Sequence, residues 1–434
     1  MSSKLILWSI TVSLGGFLFG MDVAVISGAE QDIQKLWNLS TLSHGLAVAI
    51  ALYGTVLGAG FGGWPSDKLG RKLTLQWVAF LFVFSAIGSA IAPDVNTFMF
   101  FRFLGGLSIG ASSVVAPIYI SEIAPPKYRG RMVISFQLNI VLGILIAYVS
   151  NYFISGISDD WRWMLGIVAI PAVLFFVLLF FTPETPRWLI LHRGDVDEAR
   201  RIIAYTNPET EKEVNEIIQS KEDQTGSEKL FTKKFKLPLL LSFLFALFNQ
   251  LSGINAVIYY SPRIFSMTGL GEESSLLSSA GIGLANLVFT ILGWFFIDRF
   301  GRKVLMYIGS IGYIISLSLI TLAFFNQSFA NVPIYIFAFI ASHAIGQGSV
   351  IWVFISEIFP NSVRASGMAW GSLTHWVLAA VIANAFPFFS EQFGGGIIFA
   401  FFAVMMIFQL LYVSMLMPET KGVSLENLQK QIIH

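Results

Sequence analysis

SDKLGRK at residues 66–72 comes back as IDRFGRK at residues 297–303, 231 positions later. Two more phrases repeat at nearly the same spacing. SEIAP at 121–125 returns as SEIFP at 356–360, and PET at 183–185 as PET at 418–420, both 235 positions on. Three landmarks at a near-constant offset in a chain of 434 residues mean that one unit is written twice. Between the landmarks the chain is apolar. It is 55% hydrophobic, 15% aromatic and only 12% charged, with a mean hydropathy of +0.71, a composition suited to lipid.

Apolar windows of about 20 residues mark twelve spans, at 5–28, 41–64, 73–92, 96–119, 131–155, 163–182, 236–262, 275–297, 304–325, 331–354, 365–389 and 394–417. Six precede and six follow residues 187–236, the one long polar insert, which holds ten Lys or Arg and ten Asp or Glu. The expected fold is an all-α membrane protein of two pseudo-symmetric six-helix halves, 1–186 and 236–417. A linker at 187–235 with short amphipathic helices joins them, and a tail helix at 418–434 follows. Six-plus-six membrane duplications belong to transporters whose halves rock about a central site.

Charge placement gives the orientation. The connectors after spans 2, 4, 8 and 10 carry Lys68, Arg71, Lys72, Lys127, Arg129, Arg131, Arg299, Arg302, Lys303 and Arg364, whereas the opposite connectors carry only Lys35, Arg162 and Arg263. The positive-inside rule puts the basic face, both termini and the insert in the cytoplasm. The net charge of +1 suggests no nucleic-acid partner, and the absence of cysteine excludes disulfides and thiolate metal sites. MSSKLILW has one lysine before its apolar run and no small-residue cleavage site after it, so the first span reads as retained.

In the insert, DVDEARRIIAYT offers Asp195 as a cap with Glu198 three residues on, and Val196, Ala199, Ile202 and Ile203 on one helical face. EKEVNEIIQSKE repeats the pattern with Val214, Ile217 and Ile218, as does SLENLQKQII of the tail with Leu425, Leu428 and Ile432. QTGSEK reads as flexible linker.

Inside the spans, Asp22 in FLFGMDVAVISG (17–28) and Arg102 stand out as ionisable groups at membrane depth. Each lies about six residues, or roughly 9 Å, from the outer end of its span. The plain reading is an ion pair that fixes packing. The repeat argues for more, because Asp22 aligns with neutral Asn255 and Arg102 with Phe337, so the second half packs without the charges. A carboxylate beside arginine stays ionised, and one parted from it in an apolar setting captures a proton. That is a proton-coupling device.

Span 7 carries Asn249, Gln250 and Asn255, neutral groups of the kind that bind sugar hydroxyls. Gln250 and Asn255 fall about 140° apart on an ideal helix, so they share a site only if the helix breaks near Ser252–Gly253. The charged turns Asp67 to Arg71 and Asp298 to Arg302 read first as interface anchors. Together with Glu122, Arg129, Glu184, Glu357 and Arg364 they also form a repeated charge network, able to pair across the seam between halves in one state and to part in another. Exposed pairs of about 0–1 kcal/mol each suit a latch that must open.

GGFLFGMD (15–22), GGWPSDKLGRK (62–72), RFLGGLSIGASSVVAPIYISEIAPPKYRGR (102–131), PETPRWL (183–189), NQLSGINAVIYY (249–260), DRFGRK (298–303) and PETKGVSLE (418–426) together resemble the sugar porter family of the major facilitator superfamily. The resemblance runs from span 1 to the tail and implies the major facilitator fold and carriage of monosaccharides or polyols, with a proton or down a gradient. It also implies that Asp22 is of the proton-coupled type and that Gln137, Asn286, Trp352, His375 and Trp376 join the span 7 amides around the sugar. Phe19 becomes a pocket wall and Tyr259 with Tyr260 an extracellular gate.

The chain departs from the family in three places. Asn249–Gln250 replaces a Gln pair. GSVIW lacks the proline usual before Trp352, so span 10 should bend differently. His375 stands where relatives carry Asn or Gln, either as a neutral donor and acceptor or as a second titratable group; His343 reads as packing. The function expected is proton-coupled monosaccharide symport by a monomer in the bilayer, with no cofactor, no metal and no enzymatic motif. The alternatives are a facilitator with a structural Asp22 and a sugar sensor, against which the short tail counts. Hexose, pentose and inositol all remain open as substrates.

Overall fold

The computed structural model describes residues 3–125, 129–206, 209–222, 229–360 and 363–421, and these contain helices and no strand. Eleven helical stretches are long and apolar enough to cross a membrane: Ser3–Leu36, Thr41–Phe61, Arg71–Ala90, Val95–Ile123, Ser135–Ile154, Asp160–Leu179, Lys233–Ser266, Glu272–Phe300, Arg302–Phe325, Val332–Ile358 and Arg364–Met415. The last runs for 52 residues and is broken by Gly394 at φ 72°, so it is spans 11 and 12 and the total is twelve. Several helices outrun their apolar windows. Span 1 extends to Leu36, because a helix continues into the interface with polar residues once its apolar face is spent.

Local chemistry sets the ends. Span 4 starts at Asp94, whose Oδ1 accepts from the amides of Asn96 at 2.9 Å and Thr97 at 3.0 Å. The bond from the Thr97 amide leads the effects that hold the Asp94 carboxyl below its usual range. Spans 3 and 9 follow Gly70 (φ 96°, ψ 161°) and Gly301 (φ 94°, ψ 167°), so the duplication extends to backbone angles. Side by side, spans 1 and 5 pack backbone to backbone. A Cβ on Gly20 would sit 1.8 Å from the Ile140 carbonyl oxygen, which is why small residues recur four apart on this face. Large apolar side chains such as Phe153, Ile170 and Phe295 remain exposed, as a lipid-facing surface requires.

The insert forms helices Val196–Thr206 and Thr210–Glu222. Ala199, Ile202, Ile203 and Val214 are buried, as their spacing predicts, while Ile218 is exposed. Arg200 Nε meets Glu211 Oε1 at 2.7 Å, a surface pair joining the two helices. The tail residues Leu425, Leu428 and Ile432 lie outside the described residues.

The chain divides into two compact units that do not follow the sequence halves. The first is Met1–Val23, Ile50–Ile144 and Arg162–Ser227; the second is Ala24–Ala49, Leu145–Trp161 and Glu228–His434. The ends of spans 1, 2 and 5 away from the basic face thus belong with the second half of the chain. Span 1 changes unit after Val23, one residue past Asp22.

Candidate transport site

In the first unit Asp22 and Arg102 meet, 4% and 2% exposed. Arg102 Nη1 donates to Asp22 Oδ1 at 2.5 Å, and Nη2 to the Asp22 carbonyl oxygen at 3.3 Å. The grip is one-armed, since Asp22 Oδ2 and Arg102 Nε have no hydrogen-bond partner among the described residues. A proton placed on Oδ2 would break no existing bond. Phe19, buried one turn earlier on span 1, and Gln137, half-buried on span 5, belong to the same unit.

In the second unit span 7 breaks where the amide spacing requires. One helix ends at Leu251, the next begins at Ile254, and Gly253 between them takes φ 85°, a left-handed conformation that favours glycine. The break brings Asn255 Nδ2 to Gln250 Oε1 at 2.7 Å, and Gln250 Nε2 donates to Asn249 Oδ1 at 2.9 Å. Gln250 Nε2 also lies 3.2 Å from the ring nitrogens of His375, and an amide N–H can donate there only to an unprotonated nitrogen. His375 sits between two tryptophans, its ring centre 5.2 Å from that of Trp352 and 4.7 Å from that of Trp376. Asn286 is buried but makes no bond to these amides, and Thr290 Oγ1 lies 3.5 Å from its Oδ1. Polar groups and aromatic faces therefore converge, as binding of a neutral polyhydroxyl compound needs.

Span 10 departs from a regular α-helix short of Trp352. In place of a proline kink it contains one turn of π-helix, Ala344–Gly348, which aims the fully buried Gln347 at Asn249. Neither Gln347 nor Gln409, its next partner, stands out in the sequence. Each is a lone amide in an apolar span, the usual mark of packing. His343, expected to be packing, bonds the Tyr313 hydroxyl.

The family model "Sugar (and other) transporter" matches residues 8–431. The chain belongs to this family. It is 38% identical over 438 residues to the arabinose-proton symporter of Bacillus subtilis, covering 98% of this chain and 94% of that protein. The D-xylose transporter of Levilactobacillus brevis is 36% identical over 427 residues, covering 96% and 93%. The inward-open conformation of the xylose transporter XylE from Escherichia coli superposes with a TM-score of 0.88 at 32% identity, over 99% of this chain and 100% of that one. The fold is the major facilitator fold, and the protein is a multi-pass membrane transporter.

The charges of this transporter's basic face form two matching clusters. Arg71 grips Glu122 with both arms at 3.1 Å and donates through Nη1 to the Ser66 carbonyl oxygen and Asp67. Glu184 accepts from the amides of Arg71 and Lys72, capping span 3. Burial pushes the Glu184 carboxyl up, against the pull of these amides and that of Thr185. In the other half Arg302 grips Glu357 at 3.2 and 2.8 Å and reaches Asp298 at 3.3 Å. There Glu419 caps span 9 through the amides of Arg302 and Lys303, both at 3.0 Å. Glu419 was missed in the sequence although it lies 235 positions after Glu184. Both clusters pair within their own half, because two-armed grips and helix caps satisfy these charges locally. Arg364 donates to the Phe359 carbonyl oxygen at 3.3 Å, and the Arg129 side chain lies outside the described residues.

Bonds that do cross from the first six spans to the last six lie at the opposite face, within the second unit. Arg263 holds Glu30 with Nε at 2.9 Å and Nη2 at 2.6 Å, and donates to Gln34 at 2.6 Å. His44 Nε2 lies 2.7 Å from Glu30. Nearby, Tyr260 donates to the Ala383 carbonyl oxygen at 2.8 Å and stacks on Phe386, while Tyr148 donates to the Ile258 carbonyl oxygen at 2.7 Å. Tyr259 is fully buried beside them. The Glu30–Arg263 latch was also missed, since charges near span ends read as ordinary interface residues.

Proposed function

We propose that the protein is a proton-coupled monosaccharide symporter of the cell membrane, working as a monomer by alternating access with both termini cytoplasmic. Asp22–Arg102 is the observation that carries the coupling: a buried ion pair in one half only, with an unpartnered oxygen able to take a proton. The coupling in the printed name of the Bacillus subtilis relative supports the reading. Sugar hydroxyls meet Asn249, Gln250, Asn255 and Asn286, and the faces of Trp352 and Trp376 with His375 beside them cover its C–H surface; Gln137 and Phe19 of the first unit are the further candidates for sugar contact. Tyr259 and Tyr260 gate the opposite face. Protonation at Oδ2 neutralises Asp22 and frees Arg102. Removing one charge of a buried pair is worth about 3–5 kcal/mol, which shifts a two-state equilibrium by about a hundred- to several thousandfold. The basic-face clusters, each paired within its own half, hold the halves together internally as they rock.

Purified protein in proteoliposomes tests this. Asp22→Asn is expected to lose uptake driven by a pH gradient while retaining sugar counterflow. Undiminished uphill uptake in that variant would sink the coupling and leave facilitated diffusion. Competing pentoses, hexoses and inositol in the same assay identify the substrate.

A further inference from the structure

The span 7 amides do not end at the candidate sugar site. Asn249 Nδ2 donates to Gln347 Oε1 at 3.2 Å, Gln347 Nε2 to Gln409 Oε1 at 2.7 Å, and Gln409 Nε2 to Ser310 Oγ at 2.8 Å. Ser310 Oγ lies 2.7 Å from the Met306 carbonyl oxygen. Gln347, Gln409 and Ser310 are all fully buried, so water does not compete for their bonds.

This chain has a direction, and its far end sets it. A carbonyl only accepts, so the single proton of the Ser310 hydroxyl is committed to Met306, and Ser310 Oγ can only accept from Gln409. Gln409 must then turn its NH₂ to Ser310 and its oxygen to Gln347. The same constraint passes through Gln347 to Asn249, from Asn249 to Gln250 and from Gln250 to Asn255, each amide receiving on oxygen and giving on nitrogen. At the open end Asn255 gives Nδ2 to Gln250, and its Oδ1 makes no hydrogen bond among the described residues.

Resting on the symporter reading, we propose that Ser310, acting through Gln409 and Gln347 as positioning residues, sets the donor–acceptor polarity of the sugar site, so that Asn255 meets the sugar as an acceptor. The site then demands a hydroxyl that donates at that position. Deoxy and fluoro sugars separate this from simple packing. Both lack the donor, but fluorine still accepts weakly, so at a position facing an acceptor the two analogues lose affinity alike.

The experiment is counterflow in proteoliposomes with a panel of monodeoxy and monofluoro monosaccharides. In the wild type one ring position is expected to tolerate neither analogue. In Ser310→Ala the anchor is gone, the amides can turn over, and Asn255 can present Nδ2. The fluoro analogue at that position is then expected to gain severalfold over the deoxy one, while uphill coupling is unchanged. Ser310→Thr keeps a hydroxyl and is expected to retain the wild-type pattern. Gln409→Met removes the relay from a different span and is expected to give the same gain as Ser310→Ala. Weaker binding of all analogues with an unaltered fluoro-to-deoxy ratio in both Ser310→Ala and Gln409→Met would overturn the proposal alone. A wild type that moves no sugar would overturn it together with the symporter reading.

Discussion

Arg71 and Arg302 do the same work with the same partners. Each grips a glutamate two-armed, reaches an aspartate four residues back, and is followed by an amide capped from a PET turn. In the membrane interior the copies have parted. Where the first half buries Asp22 against Arg102, the second has Asn255 bonded to Gln250 and joined to a run of amides. The repeat keeps the charges that anchor each half and differs in the buried polar groups of the membrane interior. Under the proposed function, proton handling falls to the first copy at Asp22 and most of the sugar's partners to the second.

That comparison can be broken at the anchors first. Arg71→Ala and Arg302→Ala each strand a glutamate and are expected to cost about 3–5 kcal/mol, read as thermal unfolding in detergent. The loss at Arg71 should be the larger, because the side chain of Glu122 is 10% exposed and that of Glu357 24%. Reversed order, or no loss in either, would end the claim that the clusters are equivalent scaffolds.

A smaller effect is expected at the latch. The chain has no cysteine, so Gln34→Cys supplies a unique label site at the opposite face. Adding Arg263→Gln to that background should speed thiol labelling about tenfold, the outcome of losing roughly 1.4 kcal/mol of closure. If labelling stays at its starting rate, the Glu30–Arg263 bond does not hold that face shut. The smallest effect belongs to His375→Asn. Its ring accepts from Gln250 as a neutral group, so sugar KM should rise less than tenfold and the pH profile of uptake should stay unchanged. A flattened profile would instead make His375 a titrating partner of Asp22.

Much of this was legible beforehand. The twelve spans, the repeat, the break at Gly253 and the Asp22–Arg102 pair all follow from signals written locally or at a fixed offset. Gln347, Gln409 and Ser310 were not legible, because a single polar residue in an apolar span looks alike whether it packs or relays, and only three-dimensional register tells which. Glu30 and Arg263 were hidden for a related reason. Their meaning lies in a pairing 233 residues apart, between residues of opposite charge at equivalent positions of the two repeats, so neither residue type recurs to announce it. The division into units was equally invisible, since span 1 is one continuous helix through the point where its packing partners change.

Gly253 also makes span 7 a lever. Beyond it the arm Ile254–Ser266 carries Tyr259, Tyr260 and Arg263, and it has a kink of its own at Tyr260 (φ −124°, ψ 21°), two residues before Pro262. Arg263 stands ten residues from the pivot, about 15 Å along the helix axis. With the kink at Tyr260 held fixed, a rotation of roughly 10° at Gly253 would swing the arm by about 2.6 Å at Arg263, nearly the length of the bond that ties it to Glu30. Under the proposed function, sugar drawn to Asn255 would pull on the near end of this arm, and the kink at Tyr260 would set how much of that displacement reaches Glu30.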